Sequence, residues 1–214
     1  VLESVGLRPA FIAATSMGGL VAALWGRGVP VAEMITLARG FKFPRWYLPG
    51  RILAWRELFA GVEPLLEGLR LEQISLPVVL STVDILAGEQ VVLSSGPLLS
   101  AVRATCAVPG VLPPVQMDDR FLVDGGVLNP LPTDLAWACE PDGVINVNVR
   151  GSREDAAEME AVSRRVVAGT GRRLPRIRTA RAAFRLATRA IEMCLDRQVT
   201  LASAMDGPSV VIDV

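Results

Sequence analysis

The chain has 214 residues, 51% of them apolar, and its 22 basic and 22 acidic side chains cancel to a net charge of zero. That length can fill one sizeable core, and the charge balance excludes both a disordered polyelectrolyte and a broadly basic nucleic-acid binder. There is no histidine, so neither a Ser-His-Asp triad nor a histidine-built zinc site can be assembled from these residues.

Residues 2–5 read as the tail of a helix stopped by Gly6. The apolar run 10–14 reads as a short buried strand and 17–25 as a helix, which leaves Thr15 and Ser16 to make the whole reversal. The uncharged run from Pro9 to Gly26 is 18 residues long, the lower limit for a membrane span. Thr15-Ser16 and Gly18-Gly19 interrupt it, and a strand plus a helix uses every residue, so a transmembrane reading is rejected. Residues 30–39 form a second helix, with Pro30 at its start and Val31, Met34, Ile35 and Ala38 at helical spacing.

Residues 41–59 hold six of the eleven aromatics, interleaved with prolines and glycines. This irregular segment is either a satellite apolar cluster under a loop or a lid or acyl-binding wall. A short helix over 62–69 precedes two β-rich runs, 77–84 and 90–94, joined as a hairpin. Residues 97–105 read as a helix that the prolines of 107–114 cannot continue. A strand over 120–123 breaks at Asp124-Gly125-Gly126. A helix over 132–139 and a strand over 143–149 follow, and residues 210–214 read as a closing strand. Strands alternating with helices imply an α/β sheet with helices on both faces.

From residue 161 to 191 there are nine arginines and no acid. The helix expected over 176–195 carries an apolar stripe (Ile177, Ala180, Phe184, Ala187, Ile191) and an arginine stripe (Arg178, Arg185, Arg189). The arginines read either as a solvated face or as a phosphate-facing surface. Cys106, Cys139 and Cys194 fit no disulfide framework, which suggests buried free thiols in a reducing, cytoplasmic compartment. The chain has no initiator Met and opens mid-helix, so it is expected to be a single domain over 1–214 that starts inside a larger fold.

Two short motifs carry chemistry. Ala14-Thr15-Ser16-Met17-Gly18 is A-x-S-x-G, a serine held in a tight strand-to-helix elbow with the first helical N–H groups facing whatever its hydroxyl attacks. The bland alternative is a helix start whose glycines merely pack. With no imidazole in the chain, the remaining base candidates are carboxylates, unless a segment outside this sequence supplies the base. Asp124 ends a strand and is followed by two glycines that leave it unscreened, although Asp-Gly is also an ordinary turn dipeptide. Asp118-Asp119 reads as a solvated turn. No phosphate-binding Gly-x4-Gly-Lys loop or dinucleotide fingerprint is present.

The elbow A-T-S-M-G resembles the nucleophile block of the patatin-like phospholipase family, in its bacterial and neuropathy-target-esterase-like branch. So do residues 99–115 (LSAVRATCAVPGVLPPV) and 121–132 (FLVDGGVLNPLP). The resemblance implies a three-layer α/β sandwich with a central, mostly parallel sheet, and a Ser–Asp dyad hydrolase of lipid acyl esters, of phospholipase A or lysophospholipase type, working through an acyl-enzyme. Ser16 matches the nucleophile and Asp124 the base. The Met17 N–H would be an oxyanion donor with Gly18 in the elbow, and Gly125 and Gly126 would shape the site. Neither cofactor nor metal is implied. The partners implied are a lipid or acyl-ester substrate and peripheral contact with a membrane surface, without nucleic acid.

Two departures stand out. Ala14 replaces the elbow glycine, and the family's glycine-rich oxyanion loop would precede residue 1. The isolated chain is therefore expected to be weakly active or inactive. The alternatives are a non-catalytic lipid-binding or regulatory module of the same fold and, more remotely, nucleic-acid or anionic-surface binding through the arginine stretch Arg164–Arg189.

Overall fold

The structure is a computed structural model and describes residues 5–40, 55–149 and 209–213, together with Leu2. Ahead of the first strand, the N–H groups of Val5 and Leu7 both bond the Leu2 carbonyl (3.2 and 2.9 Å), and Gly6 takes φ +73°. The left-handed conformation is the one expected of a glycine at this position. The chain then runs through β1 (Ile12–Thr15), α1 (Met17–Gly26), α2 (Val31–Gly40), α3 (Trp55–Phe59), α4 (Glu63–Leu66), β2 (Val78–Asp84) and β3 (Glu89–Leu93). It continues with α5 (Leu98–Thr105), β4 (Val115–Met117), β5 (Arg120–Asp124), α6 (Thr133–Trp137), β6 (Val144–Asn148) and β7 (Ser209–Asp213). No helix among the described residues is long and apolar enough to cross a membrane.

β2 is the template of the main sheet. It pairs parallel with β1 (Thr15 opposite Ser81) and antiparallel with β3 (Leu80 opposite Leu93) and with β5 (Thr82 opposite Asp124). β3 covers positions 80–84 of β2, so β1 at 78–81 and β5 at 82–84 must share the other edge. One of them runs parallel to β2 and the other antiparallel. Their C-terminal ends therefore meet head to head, between Ser81 and Thr82. The hairpin partner β4 extends the sheet beyond β5, and β6 and β7 form a separate parallel pair. The sheet is thus mixed. Within it β1–β2 is the parallel pair, the hairpins β2–β3 and β4–β5 are antiparallel, and so is β2–β5, whose strands are joined through β3, α5 and β4.

The core lies where α1 and α5 pack on each other and on β2. Leu20, Leu24, Leu80, Leu98 and Val102 are buried there, each stabilising by about 1.5–3 kcal/mol relative to exposure. β2 is buried at six of its seven positions, as a strand covered on both faces must be.

Several sequence expectations need correction. Residues 55–59 are helical rather than irregular, because Phe59 is buried in the core and Trp55 meets it edge to face at 5.3 Å. Arg103 reaches from α5 over the Trp55 ring and pairs with Glu63. The hairpin strand β4 was not expected, whereas Asp118-Asp119 is the exposed turn foreseen, with Asp118 at φ +51°. Cys106 is buried and free as expected, but Cys139 is exposed. Residues 41–54, the arginine-rich stretch and Cys194 lie outside the described residues.

Candidate active site

The elbow forms because β1 has no residue to spare. Thr15 still pairs with Ser81, and α1 begins at Met17, so the reversal falls on Ser16 alone at φ +55°, ψ −131°. A non-glycine residue in this region is strained, typically by ~1–3 kcal/mol, and persists only where its surroundings hold it. Ala14, in place of the elbow glycine, lies within the strand, buried opposite Leu80, and its methyl joins the core. The methyl is accommodated there, and the unusual backbone conformation falls on Ser16.

Ser16 is the N-cap of α1, yet its hydroxyl makes no capping bond. It donates instead to Asp124 Oδ2 at 2.5 Å, across 108 residues of chain. The other Asp124 oxygen, Oδ1, accepts the Gly126 N–H at 2.7 Å, capping the short 3-10 turn Gly125–Val127. Both carboxylate oxygens are therefore engaged, and the residue is 5% exposed. Burial pushes its carboxyl up from 3.8 to about 6, against the pull of the Ser16 and Gly126 hydrogen bonds. The buried Cys106 thiol is raised well above its usual range, first by burial and then by the charge of Asp124, and stays neutral.

Further residues hold the two halves in place. The Ser16 N–H donates to Thr105 Oγ1 (2.9 Å), whose hydroxyl donates to the Ser81 carbonyl (2.7 Å). Thr15 Oγ1 donates to the Asn129 carbonyl (2.8 Å), and Asn129 Nδ2 donates to Asp134 (2.7 Å), so the loop after Asp124 is tied to the last residue of β1. No local signal in the sequence marks Thr105 or Asn129, whose contacts with Ser81, Ser16 and Thr15 are made across 24 to 114 residues.

Of the glycines named from the sequence, Gly125 and Gly126 stand where a side chain would crowd its neighbours. A Cβ on Gly125 would lie 2.2 Å from the Ser81 carbonyl oxygen, and one on Gly126 would lie 3.0 Å from Asp124 Oδ1. A Cβ on Gly18 would meet nothing within 4 Å, so packing does not require that glycine. Met17 and Gly18 occupy the first two positions of α1, whose N–H groups a helix leaves without an intrahelical acceptor. Among the described residues no group of His, Cys, Asp and Glu could hold a metal ion.

An elbow serine and a buried carboxylate on a mixed α/β sheet define the class: an α/β protein whose site is built at the C-terminal end of its first strand. Comparison with known proteins narrows it. The family model described as patatin-like phospholipase matches residues 1–137, and the chain belongs to that family. An NTE family protein of Mycobacterium tuberculosis is 36% identical over 106 residues, covering 50% of this chain and 29% of that protein. A second from the same species is 28% identical over 176 residues, covering 75% of this chain and 30% of the relative. Neuropathy target esterase sws of Drosophila melanogaster is 25% identical over 166 residues, covering 72% of this chain and 12% of that protein. The matched part of the chain spans less than a third of the length of each of these curated relatives.

Proposed function

We propose that the protein is a serine acyl-ester hydrolase of lipids, with Ser16 as nucleophile and Asp124 as its general base. The observation that carries this reading is the 2.5 Å hydrogen bond from the Ser16 hydroxyl to a buried carboxylate. A carboxylate at its usual pKa is a weak base toward an alcohol, and burial that raises it to about 6 brings it nearer the working pH.

In the proposed cycle Ser16 Oγ bonds to the ester carbonyl carbon while its proton passes to Asp124 Oδ2. The Met17 and Gly18 N–H groups face the developing oxyanion. Collapse breaks the bond to the alcohol, which leaves with the proton from Asp124. Water then gives a proton to Asp124 and attacks the acyl-enzyme, and Ser16 is released with its proton as the free acid departs. The exposed apolar side chains of Met17, Val21, Val127 and Leu128 follow Ser16 and Asp124 closely in the chain and suit an acyl substrate.

A fluorophosphonate probe applied to the full-length protein tests the reading. Labelling is expected at Ser16 and is expected to vanish in Ser16→Ala. Asp124→Asn is expected to lower kcat/KM by about 10²–10⁴-fold with the fold intact. A lipid-binding or regulatory module would instead bind vesicles saturably with no ester turnover, and that result would replace the hydrolase reading.

A further inference from the structure

The edge of β2 shared by β1 and β5 offers its carbonyls in a fixed order. Ile12 N–H bonds the Pro77 carbonyl at 3.0 Å with Ile12 opposite Val78. A parallel ladder repeats every second residue, so the next bonds fall from Ala14 to Val79 and then from Ser16 to Ser81. On the other side, Ile85 N–H bonds the Phe121 carbonyl at 3.0 Å, so the hydrogen-bonded pair two residues back is Val83 with Val123. The slot at Ser81 thus lies between the last bond of β1 and the first of β5.

Thr105 fills that slot. Its hydroxyl accepts the Ser16 N–H at 2.9 Å and donates to the Ser81 carbonyl at 2.7 Å, where a continued strand would have bonded Ser16 to Ser81 directly. The side chain is fully buried, and its Cγ2 lies where only a glycine at position 19 can pass, since a Cβ there would come within 2.7 Å of it. One hydroxyl therefore replaces one rung of the ladder and moves the Ser16 amide off the β2 edge.

We infer that Thr105 is a positioning residue for the proposed reaction: its hydroxyl, spliced into the β1–β2 ladder, turns the Ser16 backbone and sets the Ser16 hydroxyl against Asp124. The inference rests on the hydrolase reading and deepens it. Without the splice, the amide of residue 16 either rejoins the β2 edge or is left unpaired, and in both cases the hydroxyl moves relative to the carboxylate. A displacement of about 1 Å at such a pair costs on the order of 10²-fold in rate.

The test compares Thr105→Val, which keeps the methyl packing and loses the hydroxyl, with Thr105→Ser, which keeps the hydroxyl. Thr105→Ala repeats the comparison with Thr105→Ser with the methyl absent from both, should the valine variant not fold. Fluorophosphonate labelling rates, kcat, KM and melting temperature are read on the full-length protein, with Ser16→Ala alongside. Loss of the hydroxyl is expected to lower labelling and kcat by about 10²-fold at a KM within about two-fold of wild type, and Thr105→Ser to stay within about five-fold. The acid limb of kcat/KM is expected to move upward in the valine or alanine variant, because the Ser16 hydrogen bond is one of the contacts that lower the Asp124 carboxyl.

If hydroxyl-free variants label at the wild-type rate while Ser16→Ala does not label at all, the positioning role is overturned and the hydrolase reading stands. If Thr105→Ser is as impaired as Thr105→Ala, the hydroxyl is not the cause and the inference also falls. Labelling that persists in Ser16→Ala would remove the nucleophile assignment, and the positioning role with it.

Discussion

Taken alone, Ser16 is a serine before a helix, one of the preferred N-cap residues. Its hydroxyl goes instead to a carboxylate that burial has made less acidic. That carboxylate links site and stability. With a folded pKa of about 6 against 3.8, Asp124 holds its proton more tightly in the native protein than in the unfolded chain. Its contribution is therefore most favourable below about pH 4 and is lost as pH rises to about 6, by on the order of 3 kcal/mol in all. Asp124→Asn carries no such charge, so urea unfolding at pH 4, 5, 6 and 7.5 is expected to show the variant gaining on wild type through that window and by a constant margin above it. A difference independent of pH would contradict the raised carboxyl. The same titration is expected to give kcat/KM an acid limb near pH 6, with activity rising as Asp124 loses its proton. The motifs around Ser16 and Asp124 each also read as an ordinary helix start or turn. It was the family resemblance of the longer blocks that paired the two residues, which the structure places in hydrogen-bond contact. Thr105 was not legible in the sequence, because its part depends on where α5 ends relative to the edge of β2.

At the scale of elements, the site depends on how closely β5 and its turn approach β2. A Cβ on Gly125 would enter the Ser81 carbonyl, the group that accepts the Thr105 hydroxyl. Gly125→Ala is thus expected to destabilise by about 1–3 kcal/mol or more and to impair labelling of Ser16, since backbone must move to admit the methyl. Gly18→Ala is the contrast: its Cβ meets open space at the start of α1, so stability is expected to hold or rise by at most about 1 kcal/mol. Thermal melts of the two variants check the pair, and equal losses would mean that β5 does not depend on this close approach. The elements themselves were largely legible. The β2–β3 hairpin announces itself by its Val-rich runs and the intervening Gly88, and α5 by its apolar spacing before Ala107-Val108-Pro109. β4 was missed because three residues containing Gln116, following Pro113-Pro114, become a strand only through pairing with β5. The polarity of β6 is likewise set by tertiary packing. Asn146 turns inward and accepts the Thr133 hydroxyl at 2.8 Å, while Ile145 and Val147 are exposed.

At the scale of the molecule, what the sequence could not express is that two strands over a hundred residues apart end against each other on one strand of the sheet. Alternating strands and helices specify the α/β class, but the order of strands along an edge depends on which faces and edges are left once the helices have packed. The result concentrates both site residues on the best-buried part of the protein. β2 is buried along nearly its whole length, and α5 buries Leu98, Ala101, Val102, Ala104 and Thr105. By contrast α2 has no fully buried residue, and only Met34 and Leu37 rest against the core. Local opening requires little where few apolar contacts are lost, and becomes equivalent to global unfolding where the core itself must open. Native-state hydrogen exchange is therefore expected to divide the chain. Amides of Leu80–Asp84 and Val102–Thr105 should exchange only through global unfolding, with a free energy matching that from denaturant melts. Amides of α2 should exchange through local opening at a rate at least about 10²-fold greater, a gap of roughly 3 kcal/mol. If β2 and α2 exchanged at the same free energy, the site would not stand on a separately stable unit. The Ser16–Asp124 geometry would then be only as firm as the least protected helix.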